Sequence, residues 1–281
     1  TLAQELKNQG ASCLFLCRAL PGNLIGRIEK LGFPVRKVNG LKDDGSISGI
    51  YDTNFTSFHD ARNCTKIVHE HGSELLILDH YYLGITWEKY LKKSVRKLMV
   101  IDDLANRKHC ADILLDQTHG ALKSTYEKLV PLDCNLLLGS KFTLLRPSFR
   151  SIRPSALKRR KAFDGVKNLL ISMGGVDHTG ITLNLLKGLI EANLNFEPNI
   201  NIILSQKSPF YKRVQQMCKN YKGKATIFPF VENIEQFLCV ADVVIGAGGT
   251  SAWERCCLGL PSIIVICEIN QKMIADAMQS A

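Results

Sequence analysis

Short apolar runs alternate with amphipathic stretches along this chain, and that alternation restricts the fold to parallel sheets flanked by helices. Leu2 to Gln9 has a helical pattern that stops at Gly10, and Ser12 to Cys17 is an apolar strand. Leu24 to Leu31 reads as a second helix ended by Gly32, with Phe33 to Val38 as the next strand. A long amphipathic helix over Phe55 to His71 precedes strands at Leu75 to Leu78, Met99 to Ile101, Ile113 to Leu115 and Asn135 to Leu138. The pattern breaks between Pro147 and Lys161, where Pro147, Pro154 and the run Lys158-Arg159-Arg160-Lys161 intervene. That segment reads as a solvated linker. Alternation then restarts, with strands at Leu169 to Met173, Ile200 to Leu204, Ala225 to Phe228, Val243 to Ile245 and Ser262 to Val265. The helices between them cover Thr179 to Ala192, Pro209 to Asn220, Ile234 to Val240 and Ser251 to Leu258.

The expected architecture is α/β: two doubly wound, Rossmann-like domains facing a cleft, residues 1–147 and 162–281, joined by a linker over 148–161. A doubly wound domain ordinarily opens on its central strand. Here the chain opens in a helix at Thr1 and stops inside the helical pattern Gln271 to Ala281. The first domain is therefore expected to lack its opening strand and loop, and the sequence reads as a fragment.

A length of 281 residues suits two such domains, and an apolar fraction of 46% gives each a core. The 36 Lys and Arg against 26 Asp and Glu leave a net charge of +10, which attracts anions without choosing their kind. The basic residues are scattered and no aromatics interleave with the one dense run, which argues against a nucleic-acid stripe. Ten cysteines form no Cys-x-x-Cys pair, and Cys13 and Cys17 lie in an apolar run, where a free thiol behaves as a small hydrophobe. A reducing compartment follows, and the cytoplasm is the expected location. No signal peptide is visible and no apolar run approaches the ~20 residues of a membrane span. The chain is expected to be a monomer that neither inserts in a membrane nor binds nucleic acid.

The densest chemical signal is Val243-Val-Ile-Gly-Ala-Gly-Gly-Thr-Ser-Ala-Trp-Glu254. A buried strand runs into Gly246, Gly248 and Gly249, and a helix opens at Thr250 or Ser251. Glycines let the backbone approach a phosphate, and the free N–H groups of a helix start point at it. The Thr250 and Ser251 hydroxyls can cap the helix and donate to phosphate oxygens. Glu254, one turn in, can accept hydrogen bonds from both hydroxyls of a ribose. The same residues equally describe an ordinary strand–helix turn with a glutamate placed by the helix dipole. A second glycine opening, Ser172-Met-Gly174-Gly175-Val-Asp177, closes the first strand of the same domain, so the two turns can embrace a diphosphate. Asn270-Gln271 follows the last strand, where either amide can hold sugar hydroxyls.

The glycine-rich stretch, the Ser172-to-Gly175 turn and Asn270-Gln271 resemble the nucleotide-binding half of GT-B enzymes related to the glycosyltransferase MurG. Ile101-Asp-Asp-Leu-Ala105, Ala111-Asp-Ile-Leu-Leu-Asp-Gln117, Leu136-Leu-Leu-Gly-Ser-Lys-Phe-Thr-Leu-Leu-Arg-Pro147 and Leu78-Asp-His-Tyr81 narrow the likeness. Together they are similar to the PseG family, the UDP-2,4-diacetamido-2,4,6-trideoxy-β-L-altropyranose hydrolases of pseudaminic acid biosynthesis. The resemblance implies metal-free, cofactor-free, inverting hydrolysis of a UDP-sugar at its anomeric C–O bond. By position it implies Glu254 on the ribose, Ser251 and neighbouring amides on the phosphates, and Asn270 on the sugar. It also implies Phe230 and Val231 meeting uracil through their backbone, with Asp79 and Tyr81 facing the sugar from the first domain. The family's catalytic histidine lies on a Gly-x-Gly-His-x-x-Arg loop just before the first helix, a motif that no residue from Thr1 onward matches. No catalytic residue is assigned. A GT-B UDP-sugar transferase and a catalytically silent nucleotide-sugar binder are the alternative readings.

Other titratable residues are read as structural. His69 and His71 end a helix on different faces, His80 is expected to make a structural hydrogen bond, and Trp253 to pack. Asp102-Asp103 are expected to fix their loop through Asn106 and Arg107, and His178 is open between phosphate contact, helix capping and exposure.

Overall fold

The computed structural model describes residues 1–20, 23–38, 55–192, 194–268 and 271–279. The chain divides into two compact units, Thr1–Leu144 and Leu145–Ala281.

In unit 1 the elements are α1 (Leu2–Asn8), β1 (Phe15–Cys17), α2 (Ile25–Lys30), β2 (Val35–Lys37), α3 (Phe55–His71) and β3 (Leu75–Asp79). They continue as α4 (Ile85–Lys92), β4 (Lys97–Ile101), β5 (Ile113–Asp116), α5 (Lys123–Tyr126) and β6 (Asn135–Leu138). All strand pairs are parallel, and among the described residues they form two sheets, β1-β2 and β3-β4-β5-β6. The core gathers Ala61, Cys64 and Val68 of α3 and Trp87 and Leu91 of α4 against Leu78, Leu98 and Val100. Buried Asp60 ties three elements together. It accepts from the Arg18 guanidinium (2.6 Å) after β1 and from Trp87 Nε1 (2.8 Å) on α4.

Cys64 packs in the core of unit 1. All ten cysteines are free. Burial, then the neighbouring Asp60 carboxylate, pushes the Cys64 thiol up to about 12, far from the range in which a thiolate reacts.

Unit 2 opens on α6 (Pro147–Lys161), followed by β7 (Asn168–Ser172), α7 (Ile181–Glu191), β8 (Asn199–Ile203), α8 (Tyr211–Cys218) and β9 (Ala225–Phe228). It closes with α9 (Ile234–Val240), β10 (Val243–Ala247), α10 (Ser251–Cys257), β11 (Ser262–Val265) and α11 (Gln271–Gln279). The sheet order is β11-β10-β7-β8-β9, all parallel. Chain order reverses between β7 and β10, which is the switch point of a doubly wound sheet. Alternate residues serve opposite faces. Leu169 and Ile171 of β7 join Leu183, Leu186 and Val214 in one cluster, while Leu170 joins Phe149, Ala156, Leu238 and Val244 in another.

The expected linker over 148–161 is a helix, and the unit boundary falls before it, between Leu144 and Leu145. Pro147 sits in the first turn, where its missing N–H costs no bond, and the helix continues through Pro154. Full burial of Phe149 and Ala156 holds α6 against α9. The basic run is not merely solvated: Arg159 pairs with Asp242 at 2.8 Å and Arg160 donates to the Leu238 carbonyl at 2.8 Å.

Since Phe149 fills the space between α6 and the sheet, Phe149→Ala is expected to destabilise the protein by about 3–5 kcal/mol. Urea denaturation checks this; a wild-type midpoint would return the segment to the status of a tether.

Candidate functional site

The register of the unit 2 sheet brings the two glycine turns side by side. Ser172, the last residue of β7, pairs with Gly246 of β10, so the chain leaves both strands at the same edge. A Cβ on Gly246 would lie 2.9 Å from Arg255 Nη1 and 3.3 Å from the Ser172 carbonyl oxygen. The position demands glycine because Arg255 runs beneath the turn. This guanidinium is buried; Nη2 donates to the Ala247 carbonyl (3.0 Å) and Nη1 to Ser251 Oγ (3.1 Å). Gly248 is enclosed too, with a Cβ there meeting Ile264 at 3.1 Å and Gln271 at 3.3 Å. Gly249 is different: nothing lies within 4 Å of its Cβ direction.

The backbone N–H groups of Gly249, Thr250 and Ser251 make no hydrogen bond among the described residues, while those of Ala252 and Trp253 turn back to Gly249 and Thr250. Three amides are left free at the mouth. The expected capping by Thr250 and Ser251 does not occur. Thr250 is the cap residue but is already helical (φ −55°, ψ −25°), which withholds its hydroxyl from the following N–H groups, and Ser251 Oγ is engaged by Arg255. Both side chains are exposed. With only seven residues, α10 adds little dipole, so the amides themselves carry the attraction for an anion.

The neighbouring turn is braced by Asp177, whose capping role the sequence reading did not identify. Its carboxylate accepts from Thr182 N (2.7 Å), Ile181 N (3.1 Å) and Thr179 Oγ1 (3.2 Å), closing the start of α7. Burial pushes this carboxyl up, but those donors outweigh it and hold it below the usual carboxylate range. Gly174 adopts φ +93° and Gly175 has open space at its Cβ direction; both are exposed. His178 is exposed, and the capping falls to Asp177.

One turn into α10, Glu254 is half-buried and makes no hydrogen bond among the described residues. The nearest cation is Arg146, 3.7 Å away. Burial raises its carboxyl and the nearby Glu235 adds to that; Arg146 and Arg255 oppose it. Phe230 and Val231 lie in the loop between β9 and α9, with Phe230 exposed. Trp253 is buried in packing with Ile274, as read from the sequence.

Gln271 follows β11 and its amide oxygen is committed to the protein, accepting from Cys267 N (3.0 Å) and Gly248 N (3.3 Å). Only its NH2 is left for a ligand. Asn270 lies outside the described residues.

Asp79 and Tyr81 sit at the end of β3 in unit 1, both exposed. Their loop is held by its own backbone. His80 Nδ1 accepts from Tyr82 N and Leu83 N, both at 3.1 Å, which assigns the imidazole proton to Nε2. Burial first, then Arg18, lowers the His80 pKa, in keeping with a neutral ring. Arg107 donates to the His80 and Leu83 carbonyls (2.8 and 3.1 Å) and pairs with Asp102 at 2.7 Å. Of the expected pair only Asp102 meets Arg107, which ties it to this neighbouring loop; in its own loop Asp102 accepts from Ala105 N (2.9 Å), and Asn106 bonds Arg107 (3.2 Å) and neither aspartate. Behind it lies a buried set that sequence reasoning missed: Glu88 with His109 at 2.5 Å, and Tyr126 bonded to Asp116 at 3.0 Å. Each side chain lies on a different element, so no local pattern displays them together.

Residues 186–280 match the glycosyltransferase family 28 C-terminal domain. The chain is 29% identical over 234 residues to UDP-2,4-diacetamido-2,4,6-trideoxy-β-L-altropyranose hydrolase of Campylobacter jejuni, covering 83% of this chain and 73% of that protein. It is 23% identical to an uncharacterized protein of Methanocaldococcus jannaschii, over 94% of this chain and 51% of that one, so it spans about half of that relative. It is 30% identical over 119 residues to the Pediococcus pentosaceus UDP-N-acetylglucosamine–N-acetylmuramyl-(pentapeptide) pyrophosphoryl-undecaprenol N-acetylglucosamine transferase, covering 41% of this chain and 32% of the transferase. Among solved structures, MurG of Acinetobacter baumannii superimposes with a TM-score of 0.65 at 14% identity, covering 99% of this chain and 78% of that one. The fold is that of the GT-B proteins.

Asp177→Ala is expected to cost about 1–2 kcal/mol near neutral pH through loss of the cap. Because the folded carboxyl is held low, its contribution is full above the unfolded value of about 3.9 and fades as pH falls through the folded one. Wild type and variant should therefore converge in stability in acid; a gap unchanged down to pH 2 would exclude the cap as its source. Gly246→Ala should cost about 1–3 kcal/mol by displacing Arg255, whereas Gly249→Ala should melt like wild type.

Proposed function

We propose that this protein binds a UDP-sugar at the switch point of unit 2 and hydrolyses its anomeric C–O bond with inversion. The released sugar is 2,4-diacetamido-2,4,6-trideoxy-L-altrose, in cytoplasmic pseudaminic acid biosynthesis. The observation that carries this reading is the pairing of two unfilled recognition elements on one short helix. Among the described residues, three unbonded amides stand at its start, and a half-buried carboxylate without a hydrogen bond stands one turn on. Amides of that kind suit a diphosphate, and an acceptor-only carboxylate suits the two hydroxyls of a ribose.

In the reaction a water oxygen bonds to the anomeric carbon as the bond from that carbon to the β-phosphate oxygen breaks. The electron pair leaves with UDP and one water proton passes to a base. The amides of Gly249, Thr250 and Ser251, with the Gly174-Gly175 turn beside them, stabilise charge growing on the diphosphate, a contribution that increases toward the transition state. Glu254 holds the ribose, and the backbone at Phe230 and Val231 meets the uracil edge. The NH2 group of Gln271, the part of that amide not bonded to the protein, serves the sugar. No described residue is assigned as the base.

The absence, among the described residues, of a helix long and apolar enough to cross a membrane is compatible with this reading, and free cysteines suit a reducing compartment. We take the working unit to be a monomer. A second reading, transfer of the sugar to an acceptor, is favoured by the match of residues 186–280 to a glycosyltransferase domain, which covers the nucleotide side that both reactions share.

A panel of UDP-sugars assayed for free UDP separates the two. Release from the diacetamido-altrose derivative in water alone is expected; release only with an added acceptor would favour transfer, and no release with tight UDP binding would indicate a binder. Glu254→Ala should weaken UDP binding about 10- to 150-fold, equivalent to about 1.5–3 kcal/mol for hydrogen bonds to a charged group. Gly249→Ala should weaken it without loss of stability. Calorimetric affinities equal to wild type for both would remove this mouth from the function.

A further inference from the structure

We propose that Arg146, given the nucleotide site argued above, is a positioning residue that sets the base-facing loop and the ribose-facing carboxylate in register with each other. Arg146 precedes Pro147 at the start of α6, far in sequence from the three glutamates it reaches. Its Nη1 donates to the Glu232 carbonyl at 3.1 Å, in the loop that carries Phe230 and Val231. Its Nη2 lies 3.2 Å from Glu235 Oε2 on α9 and 3.7 Å from Glu254 Oε1 on α10. The guanidinium carbon stands 5.2 Å from the Phe149 ring centroid, so the buried foot of α6 limits where the group can swing. One planar fork with fixed donor directions thus joins three separate elements.

The contacts differ in kind. The bond to the Glu232 carbonyl is a normal hydrogen bond and pins the loop. The approach to Glu254 is longer, so this carboxylate is oriented while its lone pairs stay available to a ligand. Glu235 is buried, its Oε2 makes no hydrogen bond of good geometry, and Arg146 is the cation beside it. Without the guanidinium, two carboxylates would face each other across a half-buried gap, and Glu254 would turn away or take up a proton. The charged groups around Glu254 are Arg146 before α6, Glu235 on α9 and Arg255 on α10. Among these Arg146 is the stronger opponent of protonation. Arg255 is committed to the glycine turn through Ala247 and Ser251 and cannot take over.

The test is calorimetric binding of UDP, uridine and inorganic pyrophosphate to wild type, Arg146→Ala, Arg146→Lys and Glu254→Gln between pH 5 and 8. Arg146→Ala should weaken UDP and uridine by about 10- to 100-fold, the scale of lost charge-assisted hydrogen bonds, and leave pyrophosphate within twofold. Its UDP affinity should also fall away at a higher pH than wild type as the solution is acidified, since Glu254 takes its proton earlier. Arg146→Lys, which keeps charge but not the fork, should restore the wild-type pH profile and only part of the affinity. Wild-type uridine binding by Arg146→Ala, an equal loss of pyrophosphate, or an unmoved pH profile would each overturn the assignment. Should Arg146→Ala fail to fold by circular dichroism, Arg146→Lys decides: selective loss of uridine over pyrophosphate supports it, and full affinity overturns it. A wild type that binds no UDP removes the nucleotide site itself, whereas weak binding by Glu254→Gln beside intact binding by Arg146→Ala removes only the role of Arg146.

Discussion

The candidate site depends on one strand pairing, that of β7 with β10 at the centre of the unit 2 sheet. Parallel register aligns Val243 with Leu169 and carries through to Gly246 beside Ser172, so two turns that are distant in sequence leave the sheet at one edge. Both strands bury their central three residues, and a slip by one residue would exchange Leu169 and Ile171 with Leu170 between the two apolar clusters they fill. Register is thereby fixed by core burial, and the site inherits its geometry from it. Arg255 reinforces the arrangement from below, filling the space a side chain on Gly246 would need.

Much of this was legible from local pattern. Every strand of unit 2 announces itself as a short apolar run, and the glycines of both turns stand where the backbone must lie open. The misreadings share a cause. Pro154 and the charge run over 158–161 look like a break because local signals describe the chain as if it were alone. Arg159 and Arg160 find partners 83 and 78 residues away, and Phe149 finds a core that no neighbour in sequence supplies. Helix α4 went unread for a similar reason: its inward face includes Glu88, a charged residue whose burial is made tolerable by His109 and the Cys110 N–H.

The site itself was legible by residue type but not by state. A glutamate one turn into a helix after three glycines suggests a ribose partner. Whether that carboxylate is free or already bonded depends on Arg146, whose contact with the Glu232 carbonyl spans 86 residues of sequence. Thr250 and Ser251 stand at the start of α10, yet their hydroxyls do not cap, because the backbone has turned helical one residue early and the buried guanidinium claims the serine. Capping preferences are statistical, and here a buried cation decides.

The docking of α6 has an outcome for how this half of the molecule can be handled or inherited. A nuclease-style cut of the gene at the basic cluster, where the sequence most resembles a hinge, would strip the sheet of Phe149 and Ala156 and leave an apolar trough open to water. The viable seam lies one helix earlier, between Leu144 and Leu145. A fragment that is to carry the glycine turns on a covered sheet therefore has to include α6 as the helix that seals it.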